Sequence, residues 1–188
     1  MVFMAAGWAQ AQVATEISPL RIEHSEEEWQ LSTQLQFELP TAVEEALLKG
    51  IPMVFVISAE VLKERWYWYW SDKRIALAER SMRLAYQPLT RRWRLNVGPA
   101  AATPGNVGLI LSQNFDTLAQ ALAAIKRVSK WKFADAADLD ASAKYKLEFR
   151  FRLDLAQLPR PFQIGAIGQS DWDISASQLV PFVPESIK

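Results

Sequence analysis

Lys144-Tyr-Lys-Leu-Glu-Phe-Arg-Phe-Arg-Leu-Asp-Leu155 alternates apolar and polar residues without a slip. Tyr145, Leu147, Phe149, Phe151, Leu153 and Leu155 share one face, and Lys144, Lys146, Glu148, Arg150, Arg152 and Asp154 share the other. Successive side chains of a strand point to opposite sides, so this segment reads as a strand with one buried and one wetted face. A sheet wetted on one side favours antiparallel pairing. Trp29 to Leu39 repeats the pattern, with Trp29, Leu31, Thr33, Leu35, Phe37 and Leu39 inward.

Shorter strands are predicted between and around these two. Leu20, Ile22 and His24 alternate with Arg21 and Glu23, and Pro19 marks an edge or a strand start. Met53 to Leu62 begins apolar on both faces, so it is covered on both. Trp66 to Tyr86 changes phase near Glu79-Arg80, where a bulge is predicted. Arg91 to Val97 closes the series with Trp93, Leu95 and Val97 inward.

Two helices interrupt the strands. Thr41-Ala-Val-Glu44 has the form of a capping box, and Gly50 and Pro52 stop that helix after Leu48-Lys49. A second helix is predicted from Asp116, with Leu118, Ala121, Leu122, Ile125 and Val128 on one stripe and Lys126, Arg127 and Lys130 in its last turn. Gly98 to Ser112, rich in Gly, Pro and Ala, reads as a loop. The expected fold is mainly β: a single-domain antiparallel β-sandwich or curved sheet with two short covering helices. The domain is expected over 15–178, after a signal-peptide-like segment at 1–14 and before a C-terminal tail at 179–188.

The chain has 188 residues, half of them apolar, with 21 basic and 21 acidic residues and no net charge. This composition excludes a disordered chain, a disulfide-stapled mini-domain and a broadly basic nucleic-acid binder. Met1 to Ala9 is an apolar run ending in Ala9-Gln10-Ala11, a small-x-small pattern like the end of a secretory signal peptide. Export to the periplasm or beyond is therefore expected. No transmembrane segment is expected in the mature chain, because the longest later apolar run, Ile51 to Ile57, is far short of the roughly 20 residues a spanning helix needs.

Catalytic and metal chemistry find little purchase. With no Cys and one His, the chain lacks a zinc ligand set. His24 reads as a packing residue, and Asp135, Asp138 and Asp140 lack the calcium-loop pattern. There is no Gly-x-Ser-x-Gly elbow, and the glycines at 98, 105 and 108 match no nucleotide-binding fingerprint. A Ser–Lys or carboxylate pair formed in space stays open. The expectation is a non-enzymatic protein with no cofactor, no metal and no nucleic-acid partner.

Two surface constellations point to binding. Trp66-Tyr67-Trp68-Tyr69-Trp70 on a strand sets Trp66, Trp68 and Trp70 on one face, a platform for sugar, peptide or lipid if exposed and a core face if not. Arg92 and Arg94 on one strand and Arg150 and Arg152 on another form a basic stripe if those strands are neighbours. The alternative for the arginines is a solvated face with Glu148 and Asp154 as cross-strand partners.

Several longer motifs occur together: Ile17-Ser-Pro-Leu-Arg-Ile-Glu23, Phe37-Glu-Leu-Pro40, Arg65-Trp-Tyr-Trp68 with Asp72-Lys-Arg74, Tyr86-Gln-Pro-Leu-Thr-Arg-Arg-Trp93, Phe115-Asp-Thr-Leu118 and Leu158-Pro-Arg-Pro-Phe162. The set resembles a family of secreted proteobacterial proteins known as a domain of unknown function, numbered 4390. The resemblance covers nearly all of 15–175. It departs from the family pattern in an extra Tyr-Trp in the aromatic run and a longer insertion before Ser112. It implies export and an envelope setting, since members are often encoded beside a membrane sensor kinase, and it brings no catalytic residue. The expected function is thus an exported binding or interaction module acting with an envelope protein such as a sensor kinase. The alternative is a carrier of a hydrophobic ligand or lipid, its apolar pocket lined by residues such as Trp66, Trp68, Phe149 and Phe151.

Overall fold

The computed structural model describes residues 15–64, 72–100, 109–166 and 172–187. The signal-like segment and the run Trp66 to Trp70 lie outside these residues. The described residues contain no helix long and apolar enough to cross a membrane.

The protein is mainly β: the described residues form two antiparallel sheets packed face to face, with three α-helices at their margins. The larger sheet is built from β4 (Met53–Lys63), β5 (Lys73–Gln87), β6 (Arg92–Pro99), β7 (Leu111–Phe115), β9 (Tyr145–Leu153) and β10 (Ser175–Phe182), in the order β10-β9-β4-β5-β6-β7. In the smaller sheet β3 (Glu28–Gln36) is central. On one side it pairs with β1 (Glu16–Ile17) and β2 (Arg21–His24), and on the other with β8 (Arg127–Asp135). Pro19 separates β1 from β2, and the side chain of Thr33, a buried polar group, donates to the Ser18 carbonyl across that break at 2.8 Å.

The alternating segments behave as their pattern requires. Trp29, Leu31 and Leu35 of β3 and Tyr145, Leu147, Phe149, Phe151 and Leu153 of β9 are buried against each other's sheet. Phe55 stacks on Phe151 at 5.8 Å, and Phe37 closes the group 5.0 Å from Phe151. β4, central in the larger sheet, is buried on both faces from Met53 to Ile57, in agreement with its doubly apolar start.

Several expectations need correction. The helix α1 (Thr41–Leu48) has Pro40 at its N-cap and no side-chain cap, so the capping box around Thr41 and Glu44 does not form. Gly50, at φ +85°, does end it. The second helix, α2, spans only Leu118–Lys126, capped by Thr117, whose side chain accepts from the Gln120 amide at 3.3 Å. Val128 and Lys130 belong instead to β8, which starts at once because Val128 and Trp131 are drawn into the core beside β3.

The bulge in β5 lies at Ile75, opposite Val61 and Leu62, while Glu79 and Arg80 pair regularly with Ser58 and Ile57. The loop predicted over 98–112 gives up its end to β7, and a third helix, α3 (Arg160–Ala166), follows the Pro159 turn. β10 runs across the boundary expected at 178 and buries Phe182 against Tyr145.

Candidate functional site

The arginines singled out from the sequence do not form one stripe. Arg92 and Arg94 lie on β6 and Arg150 and Arg152 on β9, with β4 and β5 between them. Three strand spacings of about 4.8 Å hold the two pairs apart. Each guanidinium has a local partner: Arg92 with Asp116 at 3.5 Å, Arg94 with Asn114 at 3.4 Å, Arg150 with Glu148 at 2.7 Å and Arg152 with Asp154 at 3.4 Å. Glu148 and Asp154 are thus the partners, but as near neighbours of Arg150 and Arg152 along the chain rather than across the sheet. Arg83, on β5 between them, sits opposite Val54, while Arg152 sits opposite Val56.

The other candidates also take definite places. Phe149 and Phe151 are fully buried in the packed interior. His24 is exposed on the outer strand and lies over Trp29, ring centres 4.3 Å apart. Trp66, Trp68 and Trp70 fall between the ends of β4 and β5, outside the described residues. No cluster of three or more metal-ligating side chains occurs among the described residues.

A different site appears where the two sheets part. β8 lies over β5, and between them opens a cleft of about 680 Å³. Its lining includes small residues, Ala76 and Ala78 of β5 and Ala134 of β8, beside Trp131 and Phe133. Side chains this short cannot fill the gap between two sheets that elsewhere pack about 10 Å apart.

Arg80 stands in this cleft. It shares the inward face of β5 with the buried Met82 and Leu84, and its guanidinium lies 5.2 Å from the Trp131 ring centre. Among the described residues it has no carboxylate partner, and burial pushes it below its ordinary pKa. The acids nearby are already engaged. Asp135 binds Lys132 at 2.5 Å, Glu28 stands 3.7 Å from the same ammonium, and the Asp138 carboxylate accepts from the Asp135 amide at 3.3 Å. Lys130, also in the lining and free of an acidic partner among the described residues, holds a left-handed φ of 44° at a bulge of β8. The lining holds Arg80, Lys130 and Lys132 against Asp135 and Asp138, so the net charge of the cleft is cationic, and a half-buried guanidinium with an aromatic backing can take a carboxylate or phosphate in a bidentate pair.

Residues 12–180 match the family described as Domain of unknown function (DUF4390). The chain belongs to the DUF4390 family. Neither the curated proteins nor the solved structures contain a match to it. No residue role therefore carries over to this DUF4390 chain, and the cleft is assigned by geometry alone.

Reading the sequence missed Arg80 because a bulge at Glu79-Arg80 would have turned that side chain outward. The usable signal was the spacing Ala76, Ala78, Arg80, Met82, Leu84: an arginine in phase with core residues, preceded by two alanines. Also missed was the exposed run Leu109-Ile110-Leu111 leading into the outer strand β7 of this DUF4390 domain.

Proposed function

We propose that this protein is an exported, non-enzymatic binding module of the cell envelope, and that it engages a protein partner through the cleft between β5 and β8. The observation that carries the binding site is Arg80, an inward cation with no carboxylate partner among the described residues, facing an open cleft. An unpaired guanidinium at the margin of a core costs stability, whereas an anionic partner group that joins it gains a strong, orientated contact. Export is supported by the apolar N-terminal run with its Ala9-Gln10-Ala11 pattern. Because Phe149 and Phe151 fill the interior, the same geometry favours a surface contact over a ligand carried between the sheets.

The test is site-specific photo-crosslinking in cells producing the full chain, with the probe at Lys132 in the cleft or at the remote, fully exposed Leu89. The expected result is one envelope protein captured from position 132 and not from 89. Capture should be lost in Arg80→Glu and retained in Arg92→Glu/Arg94→Glu. Equal capture from both positions, or capture indifferent to Arg80→Glu, overturns the cleft as the site. Loss in the Arg92/Arg94 variant alone moves the interface to the outer face of the larger sheet. No protein captured at all, with a small-molecule adduct seen by native mass spectrometry, replaces the interaction module by a carrier.

A further inference from the structure

Both strands that border the cleft bring backbone as well as side chains to it. β6 pairs with β5 only as far as Pro99, which lies opposite Arg80. From Glu79 back to Lys73, β5 pairs with β4, and no described strand lies on its other side. Among the described strands β8 likewise pairs only with β3. About every second residue of such an edge points its amide and carbonyl away from the sheet, a template for an added strand. The edge therefore begins where the uncompensated cation stands.

We propose that the cleft takes an extended, acidic segment of a partner polypeptide, which adds as a strand to β5 along Lys73–Glu79 and places a carboxylate on Arg80. This rests on the cleft being the binding site and adds the nature of what it binds. Backbone pairing supplies affinity, and the pockets at alternate positions supply selectivity. A partner residue opposite Ala78 has its side chain on the inward face, beside Arg80. The diagonal spacing of about 7–8 Å between such positions is within reach of a long side chain. Ala76 and Ala78 leave room for the side chains that follow. Lys130 adds a second cation, against which stands the carboxylate of Asp138, while the paired Lys132 and Asp135 add little either way, so the net charge favours a segment with one acidic side chain at Arg80.

The probe is a soluble eight-residue peptide alternating Thr and Val around a single central Glu, tested on the full exported chain. Binding is followed by calorimetry, and its place by backbone hydrogen exchange. The expected result is slowed exchange of amides within Lys73–Glu79. Affinity should fall at least about tenfold when the peptide Glu becomes Gln, and by a similar factor in Arg80→Met, the loss of one charge-assisted contact. Arg80→Met keeps the apolar stem, and its unfolding midpoint, measured alongside, separates lost binding from lost structure.

Slowed exchange at β5 with no effect of either change overturns the carboxylate assignment. Succinate or inorganic phosphate binding in an Arg80-dependent way with β5 exchange unchanged, and no peptide binding, overturns strand addition but leaves the cleft as the site. Neither probe binding overturns the acidic-strand proposal, and the crosslinking result then stands on its own for the cleft.

Discussion

Replacing Arg80 by Met should change stability little, with a slight gain at the centre of the range, whereas removing a well-placed residue costs stability. Met retains the apolar stem over Trp131 and removes a guanidinium that burial already disfavours. The lost cation–π contact, at a ring backed by protein but open to the cleft, is worth about 0.5–1 kcal/mol. Leaving buried donors unpaired costs about 1–3 kcal/mol, and roughly half of that applies here because the cleft lets water reach the group. The balance runs from a loss of about 0.5 kcal/mol to a gain of about 1 kcal/mol, which for a chain of this size keeps Tm within about 2–4 °C of the parent. Urea unfolding at neutral pH, with the slope unchanged between variants, measures it directly. Arg80→Ala in parallel removes the stem as well and should be destabilising, because it uncovers Trp131. A loss of more than about 1 kcal/mol in Arg80→Met would falsify the reasoning: Arg80 would then be a clamp holding β5 to β8, and its lack of a carboxylate would say nothing about a ligand.

Three further outcomes follow from local geometry. Lys130 holds φ at 44°, where an L side chain is strained by about 1–2 kcal/mol, so Lys130→Gly should gain up to about 1 kcal/mol net of the flexibility that glycine adds to the unfolded chain; an unchanged or lowered urea midpoint would count against strain at that bulge. Thr117→Ala should cost about 1 kcal/mol because its hydroxyl caps α2, while Thr41→Ala should cost almost nothing because α1 has no side-chain cap; equal losses in thermal melts would contradict both placements. The hydrogen bonds of Lys132 to Asp135, Lys146 to Asp72 and Lys63 to Asp140 raise these lysines above their ordinary pKa. Their contribution is thus complete below about pH 10.4 and is lost as the pH climbs through the raised values. Tm between pH 9 and 12 should fall less steeply in the triple Lys→Met variant than in the parent, and identical slopes would show that these exposed pairs contribute nothing.

What could be read from the chain was what period-two alternation encodes. β3, β6 and β9 carry whole faces of apolar residues, so their positions follow from burial alone. The strands that were missed carry little such signal, for identifiable reasons. β7 is an outer strand exposed over most of its length, so no burial disciplines Leu111 to Asn114. β8 carries the bulge at Lys130, which breaks the period, and its Val128 also fits the stripe of the preceding helix. β10 covers one edge of the larger sheet and alternates small with polar residues, Ser175 to Gln178, before Phe182. Thr41 illustrates the limit of motif reading, since Pro40 takes the N-cap position and leaves the Thr hydroxyl without an amide to accept from.

The cleft was hidden for a related reason. β5 is a strand of two halves. From Arg80 to Leu84 it pairs on both sides, and Met82 and Leu84 are buried between the sheets. From Lys73 to Glu79 it pairs on one side, its inward side chains shrink to alanine, and Leu77 turns outward and is 46% exposed. The hydrophobic pattern changes phase between the halves although the backbone there does not bulge. A phase change without a bulge means that inward positions have passed from filling a core to lining an opening, and Arg80 stands at that junction. The same segment that confuses a strand pattern is where a sheet can accept another strand: its inward positions there carry alanine, and no carboxylate among the described residues pairs with Arg80.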